Sequence, residues 1–76
     1  MTLATLEIGQ MARIVKVGGE GALRRRLLDM GLTPNTKIMV RKIAPMKDPI
    51  EIFVRDYELT LRKEDASQIE VEVIDA

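Results

Sequence analysis

The side chains that most often carry out chemistry in proteins are missing from this chain. Its 76 residues include no histidine and no cysteine. Zinc and redox-metal sites draw mainly on imidazole and thiolate ligands, so the composition argues against a tight transition-metal site. Ser67 is the single serine, and no imidazole is present to act as its base. We therefore expect no metal site, no cofactor and no enzymatic activity.

Two acidic clusters and one glycine-rich segment remain as candidate sites. Glu64 with Asp65, and Asp48 with Glu51, lack the spacing of a calcium-binding loop. Surface carboxylates on turns and strand ends are the simpler interpretation of both clusters. Residues 18–21, Gly-Gly-Glu-Gly, match neither the P-loop pattern nor G-x-G-x-x-G. A flexible turn between a strand and a helix is the simpler interpretation of that segment.

The charge balance bears on nucleic-acid binding. The chain has twelve basic and twelve acidic residues, whereas proteins that bind phosphate backbones usually carry an excess of positive charge. Phe53 and Tyr57 are the only aromatic residues, so stacking platforms for single strands are missing. Both observations argue against nucleic-acid binding. Small five-stranded barrels often bind nucleic acid, however, so a nucleic-acid-binding barrel that uses residues 24–26, Arg41 and Lys42 is kept as the alternative function. Our main expectation is that nucleic acid is not a partner.

Targeting and membrane-spanning signals are also missing. No segment approaches the roughly 18 apolar residues that a membrane helix needs, and the N-terminus lacks a signal-peptide pattern. Without cysteine the fold relies on packing alone, which suits a reducing compartment. We expect one cytoplasmic domain over residues 1–76 that does not insert into a membrane. The sequence leaves self-association open.

The densest run of charge lies on a helix predicted over about residues 20–30. Leu23, Leu27 and Met30 are spaced by four and three residues, so they share one helical face. The three arginines lie between them in sequence. Gly31 follows as a natural C-terminal cap, because glycine enters the left-handed conformation without a Cβ penalty.

Alternating apolar residues predict short strands around this helix. These strands are expected over residues 12–17, 37–43, 50–54, 59–61 and 69–73. A bulge is expected near residues 41–42, a hairpin turn at residues 56–57, and a single helical turn over residues 63–68. The predicted fold is mostly β, a small, partly closed, five-stranded SH3-like barrel with one short α-helix and a helical turn before the last strand.

The order of the motifs resembles that of the ferrous iron transport protein A family. Residues 25–34 read Arg-Arg-Leu-Leu-Asp-Met-Gly-Leu-Thr-Pro, and residues 44–50 read Ala-Pro-Met-Lys-Asp-Pro-Ile. The resemblance covers essentially the whole chain. Asn35 and Asp56 stand where the family more often has glycine, and both residue types tolerate positive φ. The motif residues that the resemblance marks as structural are Arg26, Leu27, Met30, Gly31, Pro34, Pro45 and Pro49.

The resemblance implies an SH3-like fold and a cytoplasmic accessory or regulatory role in bacterial ferrous iron uptake. The implied partner is the membrane transporter that imports ferrous iron and carries a cytosolic GTP-hydrolysing region. The same fold occurs as the C-terminal module of iron-dependent repressors, so a stand-alone relative of that module is a further alternative. Because imidazole and thiol ligands are missing, we expect this chain to bind protein and not the ion.

The candidate partner-binding residues are Arg24, Arg25, Leu28 and Met46. The arginines form either a solvated surface paired with nearby acids or a contact for an acidic patch on the transporter or for phosphate. Arg26 either joins that surface or holds the helix against the barrel. Leu28 falls off the apolar helical face and is expected to be exposed, beside the arginines. Met46 either projects from a loop tip, as adaptable interface methionines do, or packs under the loop.

Overall fold

A computed structural model describes residues 1–74 of the chain. In chain order the elements are a 3₁₀ turn (Leu3–Thr5), β1 (Met11–Val17), α1 (Gly21–Asp29), β2 (Lys37–Ile43), a second 3₁₀ turn (Pro45–Lys47), β3 (Ile50–Val54), β4 (Tyr57–Leu61), α2 (Lys63–Ala66) and β5 (Ile69–Val73). The predicted strands, helix and helical turn are confirmed. Asp75 and Ala76, the last residues of the expected domain, lie outside the described residues.

The strands form one antiparallel sheet in the order β4-β3-β2-β1-β5. The register shifts between Val40 and Lys42, which confirms the expected bulge, and again between Ile14 and Lys16. Such bulges bend a strand and increase its twist, so the sheet can curl around its own apolar face. Among the elements of residues 1–74, no helix is long and apolar enough to cross a bilayer.

The core lies inside this curl and is entirely aliphatic. Its buried hydrophobic residues are Leu3, Leu6, Ala12, Ile14, Val17, Leu27, Leu32, Ile38, Val40, Ile50, Ile52, Val54, Leu61, Ala66, Ile69 and Val71. On β2, β3 and β5 the buried positions alternate with more exposed ones, as the two-residue period of a strand requires. The alternating apolar residues of the sequence therefore mark the inner face of the sheet.

The end of α1 places the helix against the sheet. Gly31 has φ +93°, and its N–H donates to the carbonyl of Leu28 at 3.0 Å. The N–H of Leu32 donates to the carbonyl of Leu27 at 3.2 Å. These two bonds form the Schellman arrangement, which satisfies carbonyls that the helix end would otherwise leave free. The predicted glycine cap is confirmed, and both Leu27 and Leu32 are buried on either side of it.

The turn that follows α1 is anchored by an arginine from the distant hairpin. Asn35 has φ +74°, and the N–H of Thr36 donates to the carbonyl of Thr33 at 3.1 Å. This is the conformation that a proline followed by asparagine favours, and it accounts for Pro34. The guanidinium of Arg55 donates to the hydroxyls of Thr33 and Thr36, each at 3.1 Å.

The hairpin between β3 and β4 turns one residue earlier than the sequence predicts. Arg55 and Asp56 both have positive φ, +48° and +68°, and β4 already begins at Tyr57. A two-residue turn with positive φ at both central positions matches the right-handed twist of the flanking strands. The predicted turn at residues 56–57 is therefore wrong, because Arg55 takes the first turn position.

The N-terminal segment completes the core in a way that periodicity does not reveal. Leu3 and Leu6 are buried, although Leu3 lies in a 3₁₀ turn and Leu6 directly follows it. The carbonyl of Met1 accepts a hydrogen bond from the N–H of Val71 at 2.9 Å, which fixes the segment beside β5. Two of the larger core side chains therefore come from a stretch without helix or strand periodicity.

Candidate partner-binding surface

The three arginines of α1 have different environments. Arg24 donates through Nε to the carbonyl of Val17 at 3.3 Å, which ties it to the end of β1. Nη2 of Arg26 lies 3.1 Å from Oδ2 of Asp65. Arg25 is exposed, and none of the ion pairs found within residues 1–74 involves it. Arg25 is therefore the charge of this run that is most available to a partner.

A shallow groove of about 540 Å³ lies along α1. Its lining residues are Gly21, Ala22, Arg25, Arg26, Asp29 and Met30. The small residues at the start of the helix leave room for a partner to approach the backbone, and Met30 adds an apolar contact. Of the four predicted partner-binding residues, Arg25 lines this groove, whereas Arg24 and Leu28 do not.

Leu28 is half-buried and packs against the core, so the expectation that it is exposed is wrong. It follows the fully buried Leu27 by one residue, about 100° around the helix. The apolar stripe of a helix on a sheet is commonly at least that wide. Leu28 therefore lies at the margin of the buried stripe and offers a partner only part of its side chain.

Met46 lies at the tip of the loop between β2 and β3, and the residue is 90% exposed. Both Met46 and Lys47 have positive φ, +66° and +62°. The loop-tip position is therefore observed, and packing under the loop is not. A left-handed conformation at two consecutive residues that are not glycine is uncommon, and strain of this kind often marks functional loops.

The two motif prolines of this loop bracket Met46. Pro45 begins the second 3₁₀ turn, and Pro49 follows a cis peptide bond after Asp48. The loop closes on itself through a hydrogen bond from the N–H of Ala44 to the carbonyl of Pro49 at 3.0 Å. This hydrogen bond closes a compact loop from which Met46 projects.

A second concave surface, mostly apolar, lies beside the loop and has a volume of about 390 Å³. It is lined by Ile8, Lys42, Ile43, Ala44, Pro49, Glu51 and Thr60. Ile8 is 62% exposed, which is high for a large apolar side chain. Ile8 was not predicted as a site residue, because no periodic pattern in the sequence distinguishes it.

The two concave surfaces share no lining residue, and α2 contacts both α1 and the loop between β2 and β3. Asp65 of α2 contacts Arg26 of α1. At the start of α2, the N–H of Lys63 donates to Oδ1 of Asp48 in the loop at 3.1 Å. The predicted helix–loop region therefore consists of two separate surfaces joined by a short helix, with Arg25 on one and Met46 beside the other.

Acidic side chains meet on the outer face of the sheet without forming a cation cage. Hydrogen bonding between the side chains of Glu51 and Glu58 raises the pKa of Glu51, and partial desolvation and the charge of Glu58 add to the effect. Arg41 lies 3.7 Å from Glu58 and 5.9 Å above the ring of Phe53. No group of three or more potential metal ligands occurs among the described residues 1–74.

Comparison with known proteins connects this geometry to a family. The family model described as the FeoA domain matches residues 1–73. The chain is 45% identical over 74 residues to a Porphyromonas gingivalis protein named Fe(2+) transport protein A/Fe(2+) transporter FeoB fusion protein. That match covers 97% of this chain and 9% of the relative, so the chain spans only a small part of the relative's length.

Solved structures show the same fold. The FeoA-like protein of Clostridium acetobutylicum superposes with a TM-score of 0.91 at 37% identity, over 100% of this chain and 88% of that one. The zinc-complexed FeoA of Stenotrophomonas maltophilia, described as a prokaryotic SH3 domain protein, gives 0.84 at 24% identity over 95% and 89%. The latter likeness shows the fold alone and confirms the SH3-like prediction. Since the family model matches nearly the whole sequence, this chain belongs to the FeoA family, the ferrous iron transport protein A family that its motifs resemble.

Proposed function

We propose that this chain is a cytoplasmic accessory protein of ferrous iron uptake that acts by binding the membrane ferrous iron transporter, without catalysing a reaction. The supporting observation is the Porphyromonas gingivalis relative, whose name joins transport protein A and the transporter in one polypeptide. A covalent fusion fixes the ratio of two modules and raises their effective concentration. Where the two modules are separate chains, a binding interface must hold them together.

The groove on α1 is the surface that we assign to the transporter's cytosolic GTP-hydrolysing region. Arg25 supplies an exposed positive charge, and Met30 supplies a half-buried apolar contact next to it. Arginine beside an apolar anchor is a frequent arrangement at the centre of protein interfaces. The expected contact on the transporter is therefore an acidic patch that also contains an apolar side chain.

Met46 and the apolar surface that contains Ile8 form the second part of the proposed contact. An unbranched, polarizable methionine adapts to different partner surfaces. The Met46 side chain is exposed to water and is not part of the core formed within residues 1–74. It therefore remains available for contact with a partner. A partner that covers both Met46 and Ile8 would remove these two exposed apolar side chains from water.

Calorimetric titration of the chain with the purified cytosolic region of the transporter, with and without guanine nucleotide, tests this proposal. We expect association in at least one nucleotide state. Arg25→Glu should weaken it by about tenfold, because a like charge then faces the acidic patch. Lys37→Glu carries the same charge change on an exposed residue of β2, outside both surfaces, and should leave the affinity within about twofold.

Two outcomes separate the role from its location. If no association occurs in either nucleotide state, nor with the full transporter in membranes, the accessory role itself is contradicted. If association occurs but neither Arg25→Glu nor Met46→Ser weakens it, the role stands and the assigned surface is wrong. Mapping of amide chemical-shift changes on the chain would then locate the true contact.

A further inference from the structure

The two outer strands of the sheet differ in how their edges are covered. Beside β5, the carbonyl of Met1 accepts a hydrogen bond from Val71, and Thr2 pairs with Glu70 as an isolated antiparallel bridge. On the opposite side of the sheet, β3 is the only described strand with which β4 pairs. Within residues 1–74, the outer edge of β4 is the sheet edge to which no other segment is paired.

The hairpin geometry identifies the backbone groups at this edge. Val54 and Tyr57 flank the two-residue turn, and such a pair exchanges both of its hydrogen bonds. Bonded and non-bonded pairs alternate from there, so Leu59 also bonds to β3 whereas Glu58 and Thr60 do not. The N–H and C=O groups of Glu58 and Thr60 therefore point away from the sheet, and no partner for them occurs among the described residues.

We propose that this edge is a self-association site, at which two copies of the chain pair their β4 strands antiparallel around a two-fold axis at Leu59. Leu59 is the central residue of β4, so this register overlaps the strand along its whole length. It places Glu58 of each copy opposite Thr60 of the other. Each such pair exchanges two backbone hydrogen bonds, which gives four across the axis.

The side chains on β4 suit a second copy in this register. On the outer face, the hydroxyl of each Thr60 can donate to the carboxylate of Glu58 in the other copy, so no like charges are directly opposed. On the inner face, the half-buried side chains of the two Leu59 residues meet and complete each other's burial. Moving the axis to Glu58 would oppose two glutamates, and moving it to Thr60 would leave part of each strand unpaired.

Pairing with a second copy of the chain also accounts for the difference between the two edges of the sheet. Proteins commonly protect an exposed sheet edge by pairing it or covering it. The chain covers β5 with its own N-terminal residues, whereas no other segment of residues 1–74 covers the donors and acceptors on the outer edge of β4. Because the interface consists of one short strand from each copy, we expect a weak dimer whose population rises with concentration.

A single cysteine at position 59 tests the register directly, since the chain contains no other cysteine. In the proposed pair the two Leu59 residues form a non-hydrogen-bonded pair, with Cα atoms about 4.5 Å apart, which a disulfide can bridge. Under mild oxidation, Leu59→Cys should form covalent dimers about tenfold faster than Glu70→Cys, which is exposed on the covered side of the sheet. Thermal melting of both variants checks that they are folded.

Two substitutions at the exposed Thr60 give an independent test that does not alter the core. Thr60→Glu opposes two carboxylates on each side of the axis and should weaken dimerisation by about tenfold in sedimentation equilibrium. Thr60→Lys opposes lysine to Glu58 and should maintain or strengthen it. The proposal is overturned if the two cysteine variants crosslink at equal rates, if Thr60→Glu and Thr60→Lys dimerise equally, or if the unaltered chain stays monomeric at millimolar concentration.

Discussion

Arg26 of α1 and Asp65 of α2 form an ion pair, with 3.1 Å between Nη2 and Oδ2. The side chain of Asp65 is only 16% exposed, whereas that of Arg26 is 59% exposed. The arginine therefore reaches from solvent onto a carboxylate that is largely enclosed by protein. This contact joins the two helices and supports a structural role for the motif arginine, in contrast to its neighbour Arg25.

Removal of the Arg26 side chain should therefore destabilise the fold. We expect Arg26→Ala to lower the free energy of unfolding by about 0.5–1 kcal/mol, since one partner is well exposed and the pair is partly screened. In a domain of this size that loss corresponds to a fall in Tm of roughly 2–8 °C, measured by thermal melting. Arg25→Ala is the matched control and should change Tm little. Equal effects of the two substitutions would contradict the structural role of Arg26.

Gly31 is restricted by its conformation and also by its neighbour. At φ +93° an added Cβ is strained by the backbone, and it would lie 3.3 Å from the hydroxyl oxygen of Tyr57, which donates a hydrogen bond to the carbonyl of Met30. Gly9 has a similar φ of +89°, but nothing lies within 4 Å of a Cβ there. The two positions therefore share the backbone cost and differ in the steric one.

We expect Gly9→Ala to cost about 1–2 kcal/mol and Gly31→Ala to cost more, because only the second also displaces Tyr57 from the helix end. Urea unfolding of both variants measures the difference. If Gly31→Ala is no more destabilising than Gly9→Ala, the contact with Tyr57 does not constrain this position.

The pKa of the Glu51 carboxyl should be raised above its ordinary value. Hydrogen bonding to Glu58 raises its pKa most, followed by desolvation and by the negative charge of Glu58. A raised native pKa means that protonation favours the folded state, so this site's contribution to stability is present at low pH and is lost as pH rises through the native pKa. Carbon-detected NMR titration of Glu51 measures the midpoint directly.

Glu58→Gln removes the neighbouring charge and should lower the pKa of Glu51 toward the ordinary value of a glutamate side chain. Glu72→Gln, on the distant strand β5, serves as the control and should not shift it. An unchanged midpoint in Glu58→Gln would show that Glu58 does not cause the elevated pKa.

Ferrous iron should not bind tightly to the isolated chain. The sequence offers no imidazole or thiolate, and carboxylates do not cluster in groups of three or more within residues 1–74. Anaerobic titration of the tag-free protein with Fe²⁺, followed by equilibrium dialysis, should recover less than stoichiometric metal at micromolar concentrations. Stoichiometric capture with submicromolar affinity would contradict the proposal that the chain acts by binding protein.

The elements with strong local signals are those that the sequence predicts well. The spacing of Leu23, Leu27 and Met30 with Gly31 after it predicts α1 and its end, because helix periodicity and capping are local properties of the chain. The loss of alternation after Val40 predicts the bulge in β2 for the same reason. These features depend on neighbours a few residues away in the chain.

Other features depend on which segments meet after folding. Leu3 and Leu6 belong to the core, and the N-terminal turn contacts β5 and α2, which are distant in sequence. No local periodicity of the sequence predicts their burial. Whether Leu28 is buried depends on how broadly α1 contacts the sheet, and the partner of Arg26 is an aspartate that lies 39 residues away. The sequence identifies the arginine run and Met46 as candidates, but it does not show which of these side chains already make contacts within the protein.

From the sequence alone follow the family, the mostly β fold, and the expectation that imidazole and thiol chemistry is unavailable, because residue types and local periods suffice for each. Only the tertiary structure shows that Arg25 is exposed while Arg24 and Arg26 are engaged, and that Met46 projects outward. It also shows that the outer edge of β4 is uncovered within residues 1–74. The physical reason is that exposure and pairing depend on the packing of residues far apart in the chain.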